Sequence, residues 1–193
     1  MRVRGAWRYM TGGLALSALV VIGACASGSD DHGKGGLASH RDSAGFRLDY
    51  PRSWRPPPDG KRIAGSRFEV LVLPKGATVP DMQLDVVVQP VASTVERTVE
   101  QFITLSRASN SVSDQRLVAR TKIRISGGRV GYVVEQSYRR RDDAGPLVRF
   151  RQRDLISTAG GGNSLDVRLT CRAARCRAFS AQAGAVLKSV RVP

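Results

Sequence analysis

Arg116 to Arg172 read RLVARTKIRISGGRVGYVVEQSYRRRDDAGPLVRFRQRDLISTAGGGNSLDVRLTCR. Four lengths of alternating residue type run through this stretch, each set off from the next by turn residues. Arg116–Ser126 and Arg129–Arg139 meet at Gly127-Gly128, a pair that supplies the positive φ a two-residue hairpin needs. Asp142-Asp143-Ala144-Gly145-Pro146 turns into Leu147–Ser157, and Gly160-Gly161-Gly162-Asn163 turns into Ser164–Arg172. Parallel neighbours would need crossovers of a dozen residues or more, so short turns make these strands an antiparallel meander.

Upstream, Gly45 to Tyr50 alternates, with Phe46, Leu48 and Tyr50 on one side and Arg47 and Asp49 on the other. Pro51 ends that strand, Trp54 follows, and Arg55-Pro56-Pro57-Pro58-Asp59-Gly60 reads as an exposed loop. Ser66–Leu73 and Met82–Gln89 are two further strands, the second with Met82, Leu84, Val86 and Val88 in phase. Ser93 with Glu96 has capping-box spacing, and Val95, Val99, Phe102 and Ile103 form the apolar stripe of a helix that fades near Ser109-Asn110-Ser111. A last helix of about ten residues carries Phe179, Ala183, Val186 and Leu187 on one face. The expected class is α+β: a central antiparallel β-sheet flanked by helices, one globular domain over residues 45–193. That length is enough for a single core burying about 68–70% of the unfolded surface.

The N-terminus is an address. Arg2, Arg4 and Arg8 precede an apolar run from Leu14 to Ile22, and the uncharged stretch Gly12–Ala26 holds 15 residues. A spanning helix needs about 20, so residues 1–24 read as a signal peptide. Ile22-Gly23-Ala24-Cys25 resembles the lipobox of bacterial lipoproteins. The resemblance implies transfer of a diacylglyceryl group to the Cys25 thiol and cleavage before it, leaving the mature chain lipid-anchored in the cell membrane on its extracytoplasmic face. Two acyl chains are enough for stable anchoring, where one is marginal. Residues 26–44 are Gly/Ser-rich and read as a flexible tether with a mean reach of about 24 Å. Both histidines, His32 and His40, fall in this tether and read as solvated.

Few groups remain for chemistry. With no histidine from 41 to 193, a Ser-His or Cys-His pair and a histidine metal site are excluded there. No metal or cofactor is implied. Outside the cytoplasm an even pair of cysteines defaults to a disulfide, so Cys171 and Cys176 are expected to join strand to helix. Asp85, Glu135, Asp154 and Asp166 lie within strands, where two could meet as an acid/base pair or simply pair with arginines. The formal charge is +15, and losing the three leader arginines leaves +12. Of 31 basic residues 26 are arginine, a skew that fits a GC-rich genome, so much of the charge could be compositional. Some of it clusters: Arg149, Arg151 and Arg153 share a strand face at period 2, Arg139 opens an arginine triplet, and Arg168 falls on a neighbouring strand. Such a patch suits an anionic lipid, an acidic wall polymer or an envelope protein. It lacks the interleaved aromatics of nucleic-acid binders, so no nucleic acid is expected.

Gly45-Phe46-Arg47-Leu48-Asp49-Tyr50-Pro51-Arg52-Ser53-Trp54 resembles the opening signature of the PsbP-like superfamily. The later element order, through Val87-Val88-Gln89-Pro90 to the final helix, is similar too. Lipobox-bearing members similar to the LpqN-type lipoproteins are typical of actinobacteria. The resemblance implies an α/β sandwich and a non-enzymatic binding or accessory role in the cell envelope. No metal ligand of the photosynthetic members has a counterpart here. Two other readings stay open: a carrier of an apolar or lipid ligand in a sheet-helix cavity, and an envelope hydrolase or transferase using a carboxylate pair.

Overall fold

Alternating burial along the strands sets the architecture in the computed structural model, which describes residues 36–58, 62–91, 93–109, 111–141 and 145–192. In chain order the elements are β1 (Leu37–Arg41), β2 (Arg47–Pro51), β3 (Ser66–Val72), β4 (Met82–Pro90), α1 (Val95–Arg107), β5 (Ser113–Arg124), β6 (Val130–Arg141), β7 (Leu147–Thr158), β8 (Asn163–Arg172) and α2 (Cys176–Ser189). Six strands form one antiparallel sheet in the order β3-β4-β8-β7-β6-β5, and β1 pairs with β2 in a separate hairpin. The expected meander is β5 to β8, and β4 joins its far edge. Gly127 and Gly128 both sit at positive φ, +80° and +75°, in the first hairpin turn, where a side chain would be strained.

Each sheet face has its own core. Phe68, Val70, Leu84, Val86, Leu155 and Leu169 belong to the larger one, which Phe46, Trp54, Phe179 and Val186 complete from the residue before β2, the loop after it and α2. The other face packs Tyr132, Val134 and Ile156 against Val95, Val99 and Ile103 of α1. The sheet is therefore flanked by helices, as expected. Among the described residues no helix is long and apolar enough to cross a membrane.

Two expectations are corrected. The helix cap is Thr94, one residue after Ser93: its hydroxyl accepts from the Arg97 amide at 3.3 Å, while the Ser93 hydroxyl lies 3.2 Å from that of Thr98. The folded body also begins earlier than residue 45. Leu37–Arg41, expected as tether, is a strand whose partner β2 supplies the missing hydrogen bonds. His40 is not a solvated linker residue; its ring stacks on Phe68 with centroids 4.0 Å apart. Burial holds its pKa below the ordinary value, even with Asp42 beside it. Cys25, the leader and His32 lie outside the described residues.

Cys171, near the end of β8, and Cys176, the first residue of α2, are joined in a disulfide. The short loop it closes limits the stabilisation to about 2 kcal/mol. Changing both to serine should lower the urea-unfolding free energy by that amount and leave the far-UV circular dichroism intact.

Candidate functional site

Two adjoining rungs of the sheet bring acidic and basic side chains of neighbouring strands together. In one, Asp85 of β4, Arg168 of β8, Asp154 of β7 and Val134 of β6 stand side by side. In the next, Leu84, Leu169, Arg153 and Glu135 do the same. Successive residues of a strand face opposite ways, so the first rung points toward α1 and the second toward α2.

On the α1 side, Arg168 is the hub of three carboxylates. Its Nε donates to Asp154 Oδ1 at 2.9 Å, its Nη2 to Asp166 Oδ2 at 2.7 Å, and its Nη1 lies 3.7 Å from Asp85 Oδ2. Gln152 donates to both Asp154 oxygens at 2.9 Å. Three carboxylates around one guanidinium cannot all ionise cheaply out of water. Burial pushes Asp85 up to about 7, and its Oδ2 has no hydrogen-bond partner. Burial, then the charge of Asp166, also raises Asp154, and burial raises Asp166. Burial alone would lower Arg168, but the carboxylates hold its pKa above the ordinary arginine value. The ring of Phe102 on α1 lies 5.9 Å from this guanidinium. Sequence reasoning anticipated carboxylates meeting across the sheet, and Asp85, Asp154 and Asp166 do meet, on a shared arginine. Glu135 does not join them. It faces the other way and pairs with Arg153 at 2.7 Å.

The same parity corrects the basic patch. Arg139, Arg149, Arg151 and Arg153 share the α2-side face, because Arg139 stands opposite Arg149, and Glu135 opposite Arg153. Arg168 belongs to the opposite face, with its charge taken up by aspartates, and leaves the patch. Asp114 gathers three other arginines: Arg149 at 2.7 Å, Arg116 at 3.0 Å and Arg139 at 3.6 Å. The hydrogen bond from Arg116 is the main reason its carboxyl sits below the ordinary pKa. Asp114 takes a left-handed φ of 51°, at the bulge where β5 shifts register against β6. That leaves Arg151 exposed, with no acidic partner among the described residues.

Arg151 sits in a groove between the sheet and α2. One lobe, of about 460 Å³, is lined by Val118, Arg151, Leu169, Arg177 and Ser180. A second, of about 430 Å³, is lined by Ile123, Ile125, Val133, Leu187 and Val190. Glu135 and Arg153 line both lobes, so their ion pair forms the floor between them. Arg177 was not among the expected patch residues, because it lies on a helix and strand parity does not reach it. The cysteine spacing held the signal. Cys171 stands opposite Arg151, the disulfide ties Cys176 to Cys171, and Arg177 is the next residue. Arg177 is likewise exposed, without an acidic partner among the described residues. The arrangement can hold an anion between two free guanidinium groups beside an apolar cleft.

No protein-family model and no curated protein sequence matches the chain. Solved structures do. Cyanobacterial PsbP (CyanoP) from Synechocystis is 18% identical, with a TM-score of 0.60 over 89% of this chain and 99% of its own. The Ran-binding protein Mog1p of Saccharomyces cerevisiae is 6% identical, with a TM-score of 0.55 over 82% of this chain and 96% of its own. LpqN, involved in cell envelope biogenesis of Mycobacterium tuberculosis, is 12% identical, with a TM-score of 0.50 over 85% of this chain and 96% of its own. At these identities the likeness is one of fold, and the chain has the PsbP-like α+β fold.

Proposed function

We propose that the chain is a lipid-anchored, outward-facing, non-enzymatic binding protein of a bacterial cell envelope, held through Cys25, that takes an anionic partner into the groove between α2 and the sheet. The observation that carries the groove reading is the pair Arg151 and Arg177: two exposed guanidinium groups in one lobe, without an acidic partner among the described residues. Other arginines of that face already have carboxylates. The lipobox resemblance at Ile22-Gly23-Ala24-Cys25 supports the anchor, and the involvement of LpqN in cell envelope biogenesis fits the same setting. The apolar lobe at Ile123, Val133 and Leu187 favours a second reading, a carrier whose ligand has an apolar part. Such a ligand would lie in the open groove, because Phe46, Trp54 and Phe179 fill the core beneath α2.

The carboxylate-pair enzyme is disfavoured by the geometry. Asp154 is fully buried and both its oxygens are engaged, while Asp85 is buried beside Arg168. A general acid or base must reach a proton on its substrate. Asp154 meets its own arginine and glutamine neighbours, Asp85 lies beside the same arginine, and Asp166, which lines a pocket under α1, accepts from Arg168.

Three outcomes follow from this reading. Cys25→Ala should move the protein from the membrane to the soluble fraction, as read by fractionation and immunoblot. Arg151→Glu and Arg177→Glu should each weaken binding of a fluorescent polyphosphate about tenfold, given the strength of charge-assisted hydrogen bonds; unchanged anisotropy titrations would remove the groove as the site. Asp85 supplies a pH signature. Its pKa is raised in the folded chain, so the folded state holds its proton more tightly. Stability is then greatest below the ordinary carboxylate pKa and declines as pH rises through about 7. Urea unfolding should show a loss of up to about 4 kcal/mol across that window. Asp85→Asn should remove the Asp85 share of the slope and leave the part that the raised Asp154 and Asp166 contribute.

A further inference from the structure

The β1–β2 hairpin carries a row of like charges. Arg41 stands directly opposite Arg47, and Arg47 in turn bridges to Arg191 of the C-terminal segment. All three are exposed. Directly opposed like charges on one face of a ladder are destabilising. Among the described residues the row has few partners: Arg47 Nε donates to Ser39 Oγ at 2.9 Å and its Nη2 lies 3.7 Å from Asp49, while the Arg191 guanidinium donates to the carbonyls of Lys188 and Val190 at 2.8 and 3.2 Å. Arg41 has no acidic partner among the described residues. On the core side of the same hairpin, Phe46 and Leu48 are buried, so the arginine face is the one turned away from the domain.

Chain order puts this hairpin next after Cys25 among the strands and helices described. β1 begins at Leu37, and eleven residues separate it from Cys25. That length cannot span more than about 40 Å in any conformation. The hairpin is therefore the first part of the folded body reached from the anchor. Distance matters, because an anionic leaflet attracts basic side chains only within a Debye length of about 8–10 Å.

We infer that the outward face of the β1–β2 hairpin, through Arg41, Arg47 and Arg191, docks on the anionic lipid headgroups of the membrane that holds the anchor. The docked row exchanges mutual repulsion for phosphate contacts and orients the domain. This surface is distinct from the α2 groove, and its role rests on the reading of Cys25 as the anchor.

The test uses the chain from residue 25 onward with Cys25→Ser, so that no acyl chain contributes and failure of the anchor reading leaves the result unaffected. Sedimentation with phosphatidylcholine vesicles containing phosphatidylglycerol should show binding that pure phosphatidylcholine vesicles do not, and that weakens with salt. Each of Arg41→Ser, Arg47→Ser and Arg191→Ser should reduce partitioning about fivefold, whereas Arg151→Ser with Arg177→Ser should leave it unchanged. Asp49→Asn removes an acid 3.7 Å from Arg47 and should raise partitioning about fivefold with the far-UV circular dichroism unchanged. Equal sedimentation with both vesicle types, or hairpin variants that bind like the parent with no gain from Asp49→Asn, would overturn the inference.

Discussion

β8 lies between β4 and β7 in a single register, and the rest of the molecule is arranged by that register. With Arg168 opposite both Asp85 and Asp154, one face of the sheet holds a compensated, half-buried cation. Leu169 then falls opposite Leu84 on the other face, where the main core forms. A slip of one residue would exchange the faces. Arg168 would enter the apolar core, and Asp85 and Asp154 would lose their counter-charge. An ion cluster of this kind is no more stabilising than well-packed apolar side chains of the same volume. What it does is make the wrong register expensive.

The register also explains why the basic surface is smaller than the charge of the chain suggests. Arg168 is consumed inside, Arg139 and Arg149 share Asp114, and Arg153 is held by Glu135. Net charge is a property of composition, whereas available charge depends on pairing. Exposed pairs of this sort contribute little to stability. They do decide which guanidinium groups remain to meet a partner.

Much of this could be read from residue order, and the failures are specific. The meander was legible because its turns are marked by glycine pairs and triplets and its strands alternate. β1 was not, because Leu-Ala-Ser-His-Arg carries no apolar alternation; it is a strand because β2 offers a hydrogen-bonding edge and Phe68 offers a ring to His40. Parity within β7 correctly grouped Arg149, Arg151 and Arg153, since spacing by two suffices inside one strand. Adding Arg168 to them required knowing whether 168 or 169 faces 153, which is a fact of pairing between strands that no single strand encodes. The helix cap failed by one residue for a similar reason. Ser93 and Thr94 are chemically equivalent caps, and the choice between them is made by where the first turn of α1 meets the sheet.

The disulfide couples the fold to the groove. In energetic terms it is minor, because the loop it closes is short. Geometrically it fixes the first turn of α2 beside the end of β8, and so sets Arg177 near Arg151 across the groove. Two exposed guanidinium groups repel each other, and a flexible connection would let them part. The covalent bridge limits that freedom at one end of the groove, while Leu187 and Val190, farther along the same helix and just past its end, line the second lobe. Along α2 the lining of the groove thus passes from Arg177 and Ser180 to Leu187, Lys188 and Val190.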